Sequence, residues 1–190
     1  MDTIRVTELN PEQVTELYKG VMAEDFPRNE RRPLAFILRA MEEGRYEALG
    51  LWENGRLLGY AFLLRQGRCY LFDYLATLSS ERNRGLGRIF LAQIADHLRG
   101  RADCVIGEVE DPGHAKSEDE KALRIRRLGF YMRNGYLDTG VCCELFGVRY
   151  RLIELDLGTV HSADEIRALY KAQYDAAYPA MICRTMVKIF

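Results

Sequence analysis

A chain of 190 residues with 48% hydrophobic and 29% charged residues has enough apolar side chain for one buried core and too much for a disordered segment. Its 27 Lys and Arg against 28 Asp and Glu leave a formal charge of −1, which excludes the global basic field that non-specific nucleic-acid binding relies on. No apolar run approaches the ~20 residues of a bilayer-spanning helix, and MDTIRVTELN lacks the basic start and apolar run of a secretion signal, so a cytoplasmic protein with no membrane or nucleic-acid partner is expected.

TIRVTEL alternates as a strand does. Asn10 and Pro11 then stand where an N-cap and a first helical residue belong, with Gln13 completing a capping box, and Val14, Leu17, Tyr18 and Val21 share one helical face. Residues 23–33, AEDFPRNERRP, are polar with two prolines and read as a loop, followed by a short helix, LAFILRAMEEG, stopped at Gly44. Three strand-like runs come next: YEALGLW, RLLGYAFLLR and CYLFDYLATL. Asn54-Gly55 joins the first two and Gln66-Gly67-Arg68 the next two, which makes an antiparallel meander.

SSERNRGLGRIF leads into a helix with Leu91, Ile94, Ala95 and Leu98 inward, and ADCVIGEVE is a further strand. A helix crossing between neighbouring strands makes those two strands parallel. After the loop DPGHAKSEDEK, Ser117 and Glu120 form a second capping-box pattern, for a helix running to about Asn134. Tyr136 to Cys143 and Val148 to Leu157 read as strands, and Ser162 with Glu165 caps a final helix stopped by Pro179. The apolar tail AMICRTMVKIF is open to use as an edge strand or as a homodimer contact. Five cysteines, Cys69, Cys104, Cys142, Cys143 and Cys183, form an odd set without C-x-x-C spacing, which reads as reduced core thiols with no disulfide framework and no metal site.

The turn before the crossover helix raises a chemical question, because it gathers Arg82, Arg84 and Arg88 around Gly85 and Gly87. A helix N-terminus offers unpaired backbone N–H groups and a favourable field for an anion, and glycine lets the main chain approach it. A pyrophosphate uses such a cradle best; the plain alternative is a solvated turn with its arginines in water. A dinucleotide fingerprint would need a third glycine where Phe90 stands, and a P-loop would need Gly-Lys-Ser/Thr, which is missing.

Arg82-Asn83-Arg84-Gly85-Leu86-Gly87 resembles the R/Q-x-x-G-x-G/A motif of the GCN5-related N-acetyltransferases, the GNAT superfamily. Phe130-Tyr131 with Gly135-Tyr136 resembles that family's FY-x-x-x-GF block, and the order of elements from residue 3 to 157 agrees. The resemblance implies an α+β fold whose mixed central sheet of about six to seven strands contains the meander, a splayed parallel pair and flanking helices. It implies an acyl-CoA-binding domain over residues 1–158, with 159–190 as a helix and tail packed on the same domain.

By the same resemblance acetyl-CoA is the acyl donor, lying where strands 70–77 and 103–109 splay apart. Backbone groups of Leu75 and Thr77 would hold its pantetheine arm, and an N–H near Leu75 or Ala76 would meet the developing oxyanion. Arg82, Asn83, Arg84, Gly85, Leu86, Gly87 and Arg88 would hold its pyrophosphate, with Arg127 on a phosphate. The implied activity is N-acetyl transfer by direct attack of an amine in a ternary complex, without a metal. Tyr131 takes the position that protonates the departing thiolate. Glu108 and Glu110, two apart on one strand, share a side of the sheet; Glu108 is the expected base and Glu110 an acceptor ligand.

Asp73, within LFDYLA, is a third carboxylate and is costly to bury unless paired. Residues 23–33 occupy the segment that sets acceptor specificity in the family, and Asp25, Phe26 and Glu30 there suit a cationic amine. One departure stands out. Many members carry Asn seven residues, and a small residue four residues, before the FY tyrosine, where this chain has Arg124 and Arg127. Either arginine would hold a phosphate or anionic acceptor, or only cover the helix, and a catalytically silent acyl-CoA-binding module is the second reading.

Overall fold

The computed structural model describes residues 4–28 and 30–190; Thr3 of the expected first strand and Asn29 of the expected 23–33 loop lie outside the described residues. The chain divides into two units, one formed by the chain through Arg65 together with Phe72–His97, the other by Gln66–Leu71 and Leu98–Phe190.

In the first unit, β1 (Arg5–Glu8) pairs antiparallel with β2 (Tyr46–Glu53), which pairs antiparallel with β3 (Arg56–Gln66). Asn54 and Gly55 both have positive φ, 51° and 79°, as the twist of a two-residue hairpin demands. Ahead of β2 lie α1 (Pro11–Lys19), α2 (Val21–Asp25) and α3 (Leu34–Glu42). The capping box of α1 forms as the sequence suggests, with Asn10 and Gln13 each accepting from the other's backbone N–H at 2.9 Å. Part of the expected 23–33 loop is thus helical, since α2 runs on to Asp25. After β4 (Cys69–Thr77), α4 spans Leu86–Leu98. Tyr60, Phe62, Phe90, Met22 and Ile37 are fully buried and form the centre of this unit's core.

Gly59 on β3 is required by crowding. A Cβ there would stand 2.7 Å from the Ala76 carbonyl oxygen and 3.3 Å from the Thr77 Cα, so only glycine lets the backbone of β4 come this near.

In the second unit, the start of β4 pairs in parallel with β5 (Cys104–Glu110), with Cys69 opposite Cys104 and Leu71 opposite Ile106. β5 pairs antiparallel with β7 (Val148–Leu155), which pairs antiparallel with β6 (Tyr136–Leu145). This is a mixed sheet containing the expected parallel pair. α5 (Glu118–Met132) and α6 (Ala163–Ala177) flank it. The tail forms α7 (Ala180–Met186) and then β8 (Val187–Ile189), an edge strand antiparallel to β6, which makes eight strands among the described residues. Ser162 and Glu165 close their capping box, but Ser117 and Glu120 do not: Ser117 accepts from the Glu120 N–H, whereas the Glu120 carboxylate turns to the Lys116 N–H and to Arg124. A buried guanidinium is the stronger partner for that carboxylate.

Candidate active site

Beyond Thr77 the chain makes a 3-10 turn, Ser79–Glu81, and enters α4 at Leu86. Asn83 and Gly85 adopt φ of 67° and 72°, and a Cβ on Gly85 would meet no atom within 4 Å. Open space therefore lies beside Gly85, one residue before a 13-residue helix whose first N–H groups have no partner within the helix ladder. The arginines around it differ in what they hold. Arg82 pairs with Asp25 at 3.2 Å, and Arg84 pairs with Glu53 at 3.1 Å and with the buried Glu81, which also takes Arg56. Among the described residues, Arg88 is exposed and has no ion pair. Much of the turn's formal charge is thus balanced within this unit, and Arg88 keeps its charge outside that balance.

The residues expected to meet an acceptor come together in the same unit. Asp25 accepts from the Tyr60 hydroxyl at 2.9 Å as well as from Arg82. Burial, and next the Asp25 charge, push the Tyr60 phenol well above its ordinary range, so it stays a proton donor. Asp73 is indeed paired: Arg32 and the Tyr46 hydroxyl both bond to its Oδ2. Phe26 packs edge-on to Tyr74 at 5.0 Å between centroids, and the Tyr74 hydroxyl donates to the Glu30 carbonyl at 3.0 Å while accepting from the Arg32 N–H at 2.7 Å. Phe62 sits edge-on to Tyr74 and to Tyr46. Leu75, Ala76 and Thr77 follow Asp73 and Tyr74 on β4, all partly exposed.

The second unit holds the other candidates. Tyr131, on the last turn of α5, is half-buried against Tyr136 and Phe130, with ring centroids 5.3 Å and 5.4 Å away. Burial pushes its phenol up to about 12 against a smaller opposing pull from Arg127. Among the described residues its hydroxyl makes no hydrogen bond. Glu108 and Glu110, expected on one face, reach different helices. The Oε1 of Glu108 accepts from the Tyr170 and Tyr174 hydroxyls of α6, each at 2.7 Å. Glu110 instead ends β5 and takes Arg124 at 3.2 Å and Arg127 at 2.8 Å from α5. Arg124, only 5% exposed, also donates to the Asp111 carbonyl and to Glu120, so the family's usual cofactor-facing position carries a structural anchor here.

Sequence reasoning overlooked Arg32, Tyr46 and Tyr60 around Asp73 and Asp25, and Tyr170 and Tyr174 around Glu108. A signal was available: a buried tyrosine needs a partner for its hydroxyl, so tyrosines along two adjacent strand runs announce nearby carboxylates.

Comparison with known proteins bears on the family and the fold. The sequence profile of the acetyltransferase (GNAT) family matches residues 11–135. No functionally curated sequence matches. Among solved structures, a GNAT-family acetyltransferase from Bacteroides thetaiotaomicron superposes with a TM-score of 0.70 at 18% identity, covering 92% of this chain and 98% of its own. A Bacillus subtilis acetyltransferase in complex with CoA gives 0.57 at 18% identity, covering 81% and 99%. Spermidine N-acetyltransferase from Vibrio cholerae, in complex with CoA and spermine, gives 0.58 at 9% identity, covering 80% and 94%. At these identities the structural likenesses speak for the fold alone, but the profile spans well over half of the sequence, and the chain belongs to the acetyltransferase (GNAT) family.

Proposed function

We propose that the protein is an acetyl-CoA-dependent N-acetyltransferase that transfers the acetyl group directly to an amine. The observation that carries this reading is the turn at 82–88, where a left-handed Gly85 leaves open space against the N-terminus of α4. Backbone N–H groups of Gly85, Leu86 and Gly87, with Asn83 and the side chains of Arg82, Arg84 and Arg88, would hold the pyrophosphate. The CoA complexes of solved relatives support the donor, and the spermine complex supports an amine acceptor.

Acetyl-CoA supplies a thioester whose carbonyl carbon accepts the amine nitrogen as the C–S bond breaks. This chain's residues manage the protons and the orientation. Leu75, Ala76 and Thr77 present backbone groups for the pantetheine arm and for the carbonyl oxygen. Tyr131, a phenol kept protonated by burial, gives its proton to the departing sulfur. Glu108, oriented by two hydroxyls, takes the proton that the attacking ammonium must lose, while Asp25, Phe26, Glu30 and Asp73 position the acceptor. Glu110 is bound to Arg124 and Arg127, which favours a positioning role for it over a direct one, and leaves Arg127, the more exposed of the two, to reach a phosphate.

Calorimetric titration with acetyl-CoA, CoA, NAD and ATP tests the reading. Micromolar binding of the two CoA compounds alone, followed by CoA release when polyamines and other amines are offered, is expected. Equal or absent binding of all four refutes the cradle; CoA binding without release for any amine leaves the silent acyl-CoA-binding module.

A further inference from the structure

Four side chains that the acetyl-transfer reading does not use converge in the second unit. Cys69 on β4 lies directly opposite Cys104 on β5 in parallel register, which puts both thiols on one face of the sheet. Ile106, two residues on, shares that face, and Glu154 on β7 stands opposite Ile106. The Cys104 sulfur, a Glu154 carboxylate oxygen and a His161 ring nitrogen all lie within 4.8 Å of one another. His161 is fixed to Glu154 twice, through its backbone N–H at 3.1 Å and through Nδ1. Glu154 is 1% exposed, and a carboxylate so far out of water is held only by its partners.

Gln173 of α6 adds an independent observation. It is fully buried and its amide nitrogen donates to the Cys69 carbonyl at 2.8 Å, yet its Oε1 accepts no hydrogen bond. A buried, orphaned oxygen on a side chain that is bonded to the Cys69 backbone leaves the polar groups around Cys69 short of one partner.

We propose that Cys69, Cys104, Glu154 and His161 bind a divalent metal ion of the zinc class as a closed, four-coordinate structural site. The donor set of two sulfurs, one nitrogen and one oxygen suits a borderline-soft ion that prefers a tetrahedron, and it disfavours magnesium or calcium, which take oxygen alone. Bonds of about 2.0–2.3 Å place neighbouring ligand atoms roughly 3.3–3.8 Å apart. Cys104, Glu154 and His161, already within 4.8 Å of one another, need only a modest contraction, and Cys69, opposite Cys104 but outside that group of three, would turn its thiol in as the fourth ligand. On binding, each thiol gives its proton to solvent and gains a metal–sulfur bond. The ion would tie β4, β5 and β7 to the segment just before α6. That helix carries Tyr170 and Tyr174, the two hydroxyls on Glu108. The inference stands without the acetyl-transfer reading, since the pocket uses none of its residues.

The test uses the whole protein, freed of metal by a chelator and titrated with Co²⁺ and Zn²⁺ under reducing conditions. Co²⁺ should saturate at one equivalent and give a near-ultraviolet sulfur-to-cobalt charge-transfer band with visible bands of a tetrahedral ion. Zn²⁺ should displace it, shield Cys69 and Cys104 from alkylation, and raise the melting temperature with concentration. The Cys69→Ser, Cys104→Ser double variant should lose the band, His161→Ala should weaken binding at least about tenfold, and Cys142→Ser should change neither. Absence of the band in the parent protein, its survival in the double variant, or a Cys69–Cys104 disulfide in the purified chain would each overturn the site. Alkylation of the parent protein with and without Zn²⁺ decides the matter should the double variant fail to fold.

Discussion

The turn at 82–88 and the helix α5 are both rich in arginine, and they use it in opposite ways. On the turn, Arg82 and Arg84 keep side-chain exposures of 59% and 40% while touching carboxylates, and Arg88 stands in solvent. On α5, Arg124 is buried and bonded to Glu110, Glu120 and the Asp111 carbonyl. A buried guanidinium with both terminal amino groups committed inside the fold is a structural element. One that keeps a face in water remains available to an anion at little cost. Arginine in a ligand-facing motif position therefore means nothing until its burial is known.

The largest expected effect breaks this comparison from the buried side. Arg124→Ala leaves Glu110, Glu120 and a backbone carbonyl without their shared donor, and should cost about 3–5 kcal/mol in urea-induced unfolding. Arg127→Ala removes an exposed member of the same group and should cost less than about 1 kcal/mol. Equal losses for the two variants would mean that burial does not separate the roles of these arginines. On the turn, Gly85→Glu should weaken CoA binding by about 100-fold, since it puts a carboxylate where a phosphate belongs. Gly85→Ala is the sharper control: its Cβ meets open space, so the φ of 72° should cost about 1 kcal/mol of stability with CoA affinity nearly intact. A large affinity loss for Gly85→Ala in a folded variant would mean that the ligand fills the space at this Cβ itself.

Tyr131 lies between these extremes, half-buried and with its hydroxyl uncommitted. Tyr131→Phe should lower kcat by about 10²-fold while CoA affinity stays unchanged. Its phenol, pushed up to about 12 by burial, is in the donor form at every lower pH. The rate of the parent enzyme should accordingly show no loss attributable to this group below about pH 10. Unchanged turnover in Tyr131→Phe removes it as the proton donor; an alkaline limb near neutrality that the substitution abolishes keeps it as the donor and overturns only the effect of burial on its phenol.

Local signals made most of the fold legible: Asn54-Gly55 for the first hairpin, Asn10 with Gln13 for α1, and the glycine-arginine turn for the start of α4. What could not be read were pairings between residues far apart in sequence. Arg32 finds Asp73 across 41 positions, and Tyr170 and Tyr174 reach Glu108 across 62 and 66. Glu110 is claimed by two arginines of α5, Arg124 and Arg127, partners 14 and 17 positions away that no local pattern announces. The Cys69, Cys104, Glu154 and His161 cluster carries no spacing motif for the same reason: three of its members come from three separate strands and the fourth from the segment after β7.

The smallest expected effect tests the exposed side of the comparison. Arg84 already shares its charge with Glu53 and Glu81, so an incoming phosphate gains only what those carboxylates leave over. Arg88 offers its full charge. Arg88→Ala should therefore weaken CoA binding by about three- to tenfold and flatten its dependence on salt, whereas Arg84→Ala should cost less than about threefold. Glu53→Gln acts on the same balance from the other side: it loosens Arg84 and should strengthen CoA binding slightly, by about twofold at low ionic strength. If Arg84→Ala proves the more damaging substitution, the carboxylates aim that arginine at the ligand, and internal pairing on this turn is preorganisation instead of neutralisation.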